Sequence, residues 1–197
     1  MIAAVLVRAH GFAIDRGAAG HVDVELDVRA GLPGLALVGL AGGSGRDVRE
    51  RVQAAVLNSG FSFPRRRLTV NLAPATRRGG SEFDLVVACC LLAASGVIDP
   101  RRLGGIGLCA ELGLGGGLRA CAALPAAAEA ADAAGLGGLI VARADLPAAR
   151  AGAAVAVVGL RTLCEVVDLL GAPGRELRRM LRAPEHGRGH AIAHPST

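Results

Sequence analysis

An α/β (α+β) fold, with a mixed sheet and helices packed mainly on one side, is what the sequence predicts, on three observations. Strand-like segments precede and alternate with segments of helical period. The first two strand-like segments lie close enough in the chain to pair antiparallel. An unbroken apolar run, Leu85 to Ala94, has no polar side to turn to water and so needs cover on most faces, against the sheet.

Taken in order, Ala3 to Val7 reads as a short apolar strand. From His21 to Arg29 the chain alternates, with Val22, Val24, Leu26 and Val28 on one face and Asp23, Glu25 and Asp27 on the other. That period of two predicts a half-buried strand with a wet acidic face. Gly31-Leu32-Pro33-Gly34 makes a turn, and Leu35 to Leu40 reads as a more buried strand.

Ser44 to Asn58 is an amphipathic helix whose inner stripe is Val48, Val52, Ala55 and Val56. Ser44 is expected to cap it, with Asp47 completing a capping-box pattern, and Asn58-Ser59-Gly60 stops it. Arg67 to Leu72 is a strand with Leu68, Val70 and Leu72 inward, followed by a Pro-, Arg- and Gly-rich loop from Ala73 to Gly80. Ser81-Glu82-Phe83-Asp84 repeats the capping pattern and opens the apolar helix, which reaches Ser95.

Ile106 to Leu118 reads as strand, turn at Gly115-Gly116-Gly117 and returning strand. An alanine-rich helix over Pro125 to Ala134, strands over Leu139 to Ala142 and Ala154 to Val158, and a closing helix over Thr162 to Leu170 complete the pattern. Residues 1–171 are thus expected to form one domain, and 172–197 a mobile tail or truncated linker.

Composition narrows the function classes. Of 197 residues 52% are hydrophobic, too many for a disordered chain. The longest apolar run is half of the roughly 20 residues a bilayer needs, and the first residues lack the basic leader of a signal peptide, so a cytoplasmic location and no membrane partner are expected. All 22 basic residues are arginine, against 17 acidic ones, a formal net charge of +5. No mechanism that requires a lysine side chain can run on this chain. Tyrosine and tryptophan are also absent, which excludes base stacking on those rings. Cys89, Cys90, Cys109, Cys121 and Cys164 are odd in number and lack CxxC spacing, the pattern of buried free thiols and not of a disulfide frame or zinc site.

Few motifs carry chemistry. Gly42-Gly43-Ser44-Gly45 before a helix reads as capping or a weak anion cradle; a phosphate loop would need Gly-Lys-[Ser/Thr]. Ser81 beside Glu82 and Asp84 has no nearby base in the chain, and capping accounts for Ser81 and Asp84. His186, His190 and His194 are spaced four apart, but Gly187, Gly189 and Pro195 argue against the helix that would align them, so no metal site is expected. The arginines are more informative. Arg65, Arg66 and Arg67 precede one strand and Arg77 and Arg78 follow it, either as phosphate contacts for DNA or as a solvated basic rim. Arg175, Arg178, Arg179 and Arg182 admit the same two readings.

The stretch Gly31 to Leu85 carries a resemblance. Gly31-Leu32-Pro33, Val38-Gly39-Leu40, Arg49-Glu50-Arg51-Val52, Asn58-Ser59-Gly60-Phe61-Ser62-Phe63-Pro64, Thr69-Val70-Asn71-Leu72-Ala73-Pro74-Ala75 and Gly80-Ser81-Glu82-Phe83-Asp84-Leu85 resemble the N-terminal domain of the YifB/ComM family, also called magnesium chelatase-like or subunit ChlI. Glu111-Leu112, Leu118-Arg119 and Leu124-Pro125 extend the likeness, which covers about Met1 to Leu170.

The resemblance implies a fold like the Lon protease catalytic domain, within the ribosomal-protein-like superfamily. It implies a place ahead of an AAA+ ATPase module with Walker motifs, which alone would bind ATP and magnesium, and a C-terminal chelatase-like domain. ComM members are hexameric DNA helicases that drive branch migration in natural transformation. For this chain the implied role is a non-catalytic accessory domain helping assembly or DNA engagement, with Arg65, Arg66, Arg67, Arg77 and Arg78 as contacts to DNA or a neighbouring subunit. The implied partners are DNA, the AAA+ module in cis or in trans, and further copies in a hexamer. The alternative is a stand-alone protein-interaction module that does not touch DNA; a magnesium-inserting chelatase subunit rests on the family label alone. Lon-type peptidase chemistry needs a Ser-Lys dyad, which a chain without lysine cannot supply. Three loops depart from the family pattern, at Ala41-Gly42, Thr76-Arg77-Arg78-Gly79 and Gly113 to Gly117.

Overall fold

The computed structural model describes residues 5–41, 43–76, 80–121, 124–151, 153–174, 177 and 179. The expected tail histidines, Arg77, Arg78, Arg175, Arg178 and Arg182 lie outside the described residues.

A seven-stranded mixed sheet forms the centre. Its strands are β1 (Val5–Asp15), β2 (Ala18–Arg29), β3 (Gly34–Leu40), β4 (Arg67–Thr76), β5 (Ile106–Cys109), β8 (Gly138–Ala142) and β9 (Ala156–Leu160), in the spatial order β3-β4-β2-β1-β5-β8-β9. β6 (Glu111–Leu112) and β7 (Leu118–Arg119) make a separate small hairpin. β2 runs antiparallel to both its neighbours, β1 and β4, while the other pairs in the large sheet are parallel.

Helices cover both faces unequally. On one face lie α1 (Ser44–Asn58), α2 (Asp84–Ala94) and α5 (Leu163–Gly171), which share a core with Val24, Leu26, Val70 and Leu72 of the sheet. The expected stripe of α1, Val48, Val52, Ala55 and Val56, is the buried one. Ten of the eleven residues of α2, Asp84 to Ala93, are buried, so this helix is the middle of the domain. On the other face α3 (Leu124–Ala133) and the short α4 (Leu146–Arg150) bury Phe12, Cys109, Leu139 and Val141. That second layer lies over β1, β5, β8 and β9, and α3 also packs on β2, where Ala19 joins its cluster. Farther along β2 the same face is wetter, with Asp23 exposed and Glu25 and Asp27 half-buried, as the alternation predicted.

Several expectations are corrected. β1 is far longer than Ala3 to Val7, because polar Arg8 and His10 face outward while Val7 and Ala9 face the core. β3 is less buried than expected, with Leu35 the buried residue of the strand and Val38 51% exposed, because it lies at the sheet edge and pairs with β4 alone. The loop expected from Ala73 begins later, since β4 continues to Thr76. Neither serine caps its helix. Gly43 precedes α1 without a side-chain cap, and Phe83 precedes α2 after a 3-10 turn over Ser81–Phe83. Asp84 is unavailable as a cap because its carboxylate is turned inward to other partners. Thr162 does cap α5, accepting from the Glu165 N–H at 3.2 Å.

Candidate nucleic-acid interface

Arg65, Arg66 and Arg67 lie where the chain leaves α1 and enters β4, at the open edge of the sheet. The Gly34 N–H donates to the Arg66 carbonyl at 3.0 Å, which fixes the starts of β3 and β4 side by side. Arg65 and Arg67 are exposed and Arg66 half-buried. None of the three has an ion-pair partner among the described residues, so their guanidinium groups keep free donors for an acceptor outside the chain.

The edge is grooved. An open cavity of about 630 Å³ is walled by Pro33, Leu35, Arg49, Gln53, Phe61 and Arg65. Arg67 and Leu32 line an adjoining hollow, and Arg46 with Arg49 a third, all along β3. Arg46 and Arg49 lie off the buried stripe of α1. The fold brings them to the same edge as Arg65 and Arg67 because α1 packs beside β3. A signal existed only in part: their exposure was readable from the helical period, but their meeting with the strand arginines is tertiary. Arg49 also pairs with Glu50 at 3.0 Å.

Arg77 and Arg78 lie outside the described residues. β4 has ten residues, about 30 Å of strand, and Arg67 and Thr76 stand at its two ends.

Behind the groove, α1 is fixed by a buried ion pair. Arg51 donates from Nε to Asp84 Oδ2 at 2.7 Å and from Nη2 to Asp84 Oδ1 at 3.0 Å. The Leu112 N–H donates to Asp84 Oδ2 at 3.1 Å. Burial raises the Asp84 pKa to about 6, and the hydrogen bonds from Arg51 and Leu112 oppose that rise without cancelling it. The same carboxylate raises the Arg51 pKa.

The other candidates do not assemble into a reactive centre. Among the described residues, neither the Asp84 nor the Glu82 carboxylate is hydrogen-bonded to Ser81; Glu82 Oε2 accepts from the Gly80 N–H at 2.7 Å. All five cysteines are free thiols, with Cys89, Cys90 and Cys109 buried, and burial pushes the first two thiols far above the usual thiol range. One cluster was missed altogether: His10, His21 and Asp23 converge on the outer face of β1 and β2, from positions eleven and two residues apart. No described helix is long and apolar enough to cross a membrane.

Comparison with known proteins agrees with the motif reading. The chain is 41% identical over 99 residues to the uncharacterised protein YifB of Escherichia coli, a match covering 50% of this chain and 20% of YifB. It is 41% identical over 99 residues to the competence protein ComM of Haemophilus influenzae, covering 50% of this chain and 19% of ComM. An uncharacterised protein of Mycobacterium tuberculosis is 42% identical over 116 residues, 58% of this chain and 23% of that protein. The matched segment thus spans about a fifth of the length of these relatives. The model of the family described as subunit ChlI of Mg-chelatase matches residues 24–145, a span that includes the sheet edge, the Arg51–Asp84 pair and both central helices. The chain belongs to that family, together with the YifB and ComM proteins.

Proposed function

We propose that this domain is a non-catalytic accessory module of a ComM-like AAA+ ATPase, helping the motor assemble or engage DNA. The observation that carries the reading is the set of arginines on adjoining hollows along β3: Arg65 and Arg67, without ion-pair partners among the described residues, joined by Arg46 and Arg49, with Arg66 in a neighbouring hollow beside Pro64 and Ser95. Clustered guanidinium groups that are not neutralised in cis suit a phosphate backbone, which they hold without reading sequence. The printed name of the Haemophilus relative, a competence protein, is in keeping with a DNA-handling role. In this reading residues 1–171 form the module and 172–197 lead toward the motor, whose hexameric assembly would set several such grooves around one DNA. Arg77 and Arg78, which follow Thr76 in the sequence, would serve a neighbouring subunit or a second stretch of backbone.

ATP and magnesium belong to the motor in this reading. The residues of this chain do not fit them, since without lysine no Gly-Lys-[Ser/Thr] loop can reach the β- and γ-phosphates. The same lack removes a Ser-Lys dyad, so turnover of a peptide bond by that route is not assigned to the domain.

A protein partner at the same edge is the second reading, favoured by the apolar exposure beside the groove. Leu32 is 89% and Leu57 48% exposed, and β3 offers an unpaired strand edge. Salt-dependent DNA binding, measured on the full chain and on a variant lacking the three strand arginines, separates the two.

A further inference from the structure

The outer face of the β1–β2 hairpin carries a cluster that neither the family nor the arginine groove accounts for. In the antiparallel register His10 stands opposite Asp23 and Phe12 opposite His21. All three polar side chains therefore share one face of the sheet. His10 Nδ1 lies 2.9 Å from His21 Nε2 and 3.3 Å from Asp23 Oδ1, and His21 Nε2 lies 3.7 Å from that same oxygen. We propose that His10, His21 and Asp23 form a binding site for a divalent first-row transition cation of the zinc, cobalt and nickel kind.

The triangle has the right size. A cation held at about 2.0–2.1 Å from nitrogen and oxygen sets its ligands about 2.8–3.4 Å apart, from octahedral to tetrahedral geometry. The edges of 2.9 and 3.3 Å fall within that range and the 3.7 Å edge lies just above it, so one ion can sit against all three atoms with small side-chain adjustments. Two imidazoles and a carboxylate select a transition cation over calcium or magnesium, which prefer all-oxygen shells.

The supporting shell points the same way. His10 Nε2 lies 3.3 Å from the Gly104 carbonyl, which can only accept, so the tautomer with Nε2–H satisfies that carbonyl and leaves Nδ1 to ligate a cation. Carbonyl-anchored imidazoles of this kind are the usual outer partners of a ligating histidine. The His21 ring rests edge-on against Phe12, centroids 6.1 Å apart, and Phe12 is fully buried and cannot yield. The histidine side chains are 20% and 27% exposed, which limits their rotamer freedom before any ion arrives. Asp23 is 60% exposed, and its cross-strand neighbour on β4 is the small Ala73, so the remaining coordination positions open to solvent. With three protein ligands, water or a group from a partner completes the shell.

The test is cobalt titration of the full chain, followed by visible d–d absorption, with zinc as competitor. The expected result is one cobalt per chain, displaced by zinc, without the thiolate charge-transfer band that ligation by the free cysteines would give. His21→Gln and Asp23→Asn are both expected to weaken binding by more than the roughly 10–100-fold typical of losing only an outer-shell partner, with unchanged circular dichroism. A variant with His186, His190 and His194 all changed to Gln is expected to bind as the parent does. Absence of saturable binding, parental affinity in His21→Gln, or loss of binding in the tail variant would each overturn the assignment.

Discussion

Arg51 and Asp84 meet as a two-point pair, Nε to Oδ2 at 2.7 Å and Nη2 to Oδ1 at 3.0 Å, one from the middle of α1 and the other from the first residue of α2. Asp84 is fully buried, and its Oδ2 also receives the Leu112 N–H of β6. Three separate pieces of chain are thus tied to one carboxylate. The tie sets the rotation of α1 about its axis: with Arg51 turned inward, Arg49 is directed to the β3 groove on the other side of the helix. Both partners lie within the motifs that carry the family resemblance, Arg49-Glu50-Arg51-Val52 and Gly80-Ser81-Glu82-Phe83-Asp84-Leu85.

Removing the cation is expected to be expensive. Arg51→Ala leaves a buried carboxylate with only the Leu112 N–H among its described partners, and should destabilise the domain by about 3 kcal/mol. Arg51→Lys should recover only part of this, because an ammonium cannot reproduce the two-point geometry. Urea denaturation of the three proteins measures both values, and a loss within about 0.5 kcal/mol for Arg51→Ala, the range of an ordinary surface change, would contradict the role given to the pair.

The pH dependence of the same pair has a definite sign. Burial holds the folded-state pKa of Asp84 at about 6, above the ordinary aspartate value of 3.8. The folded state therefore binds the proton more tightly than the unfolded chain, and the contribution of this group to stability falls as pH rises from about 4 to about 6. Asp84→Asn removes that dependence. The stability of Asp84→Asn relative to the parent is thus expected to improve between pH 4 and pH 7, by on the order of 2–3 kcal/mol. A relative gain by the parent over that interval would mean that the Arg51 attraction outweighs burial.

Gly39 tests the edge strand. It has φ +93°, and a Cβ there would run into the Leu72 carbonyl oxygen of β4. The register of β3 on β4 shifts at this residue, between the pairs Val38–Asn71 and Leu40–Thr76. Gly39→Ala meets both a disfavoured backbone conformation and a backbone clash, so a loss of about 2 kcal/mol or more is expected from thermal or urea unfolding. The control Gly20→Ala, where a Cβ meets nothing, should change stability by less than about 0.5 kcal/mol.

Legibility in the sequence followed periodicity. The stripe of α1 and the alternation of β2 each face one core and one solvent side, so a single period describes them; the stripe was readable in full and the alternation from His21 on, although β2 begins at Ala18 and Val28 is only half-buried. α2 was readable as buried because no polar residue interrupts Leu85 to Ala94. Strand order was not readable, and with it went the depth of β3: Leu35 to Leu40 looks apolar enough for an interior strand, yet occupies the edge. The capping reading of Asp84 failed because local spacing cannot reveal a long-range partner, Arg51, that satisfies the carboxylate better than a helix end would. Likewise Arg65, Arg66 and Arg67 were legible as a run, whereas Arg46 and Arg49 joined them only through the packing of α1 on β3. His10, His21 and Asp23 escaped notice because strand register, not sequence spacing, brings them together.

The proposed DNA contact is tested most directly by fluorescence anisotropy of a labelled DNA duplex over a series of salt concentrations, for the full chain and for Arg65→Ala/Arg66→Ala/Arg67→Ala. The parent is expected to bind at low salt and to lose affinity linearly on a log–log plot. The triple variant should show a slope shallower by about 0.9 for each phosphate contact removed, at unchanged stability. No binding by the parent at low salt, or an identical slope in the variant, would contradict the account.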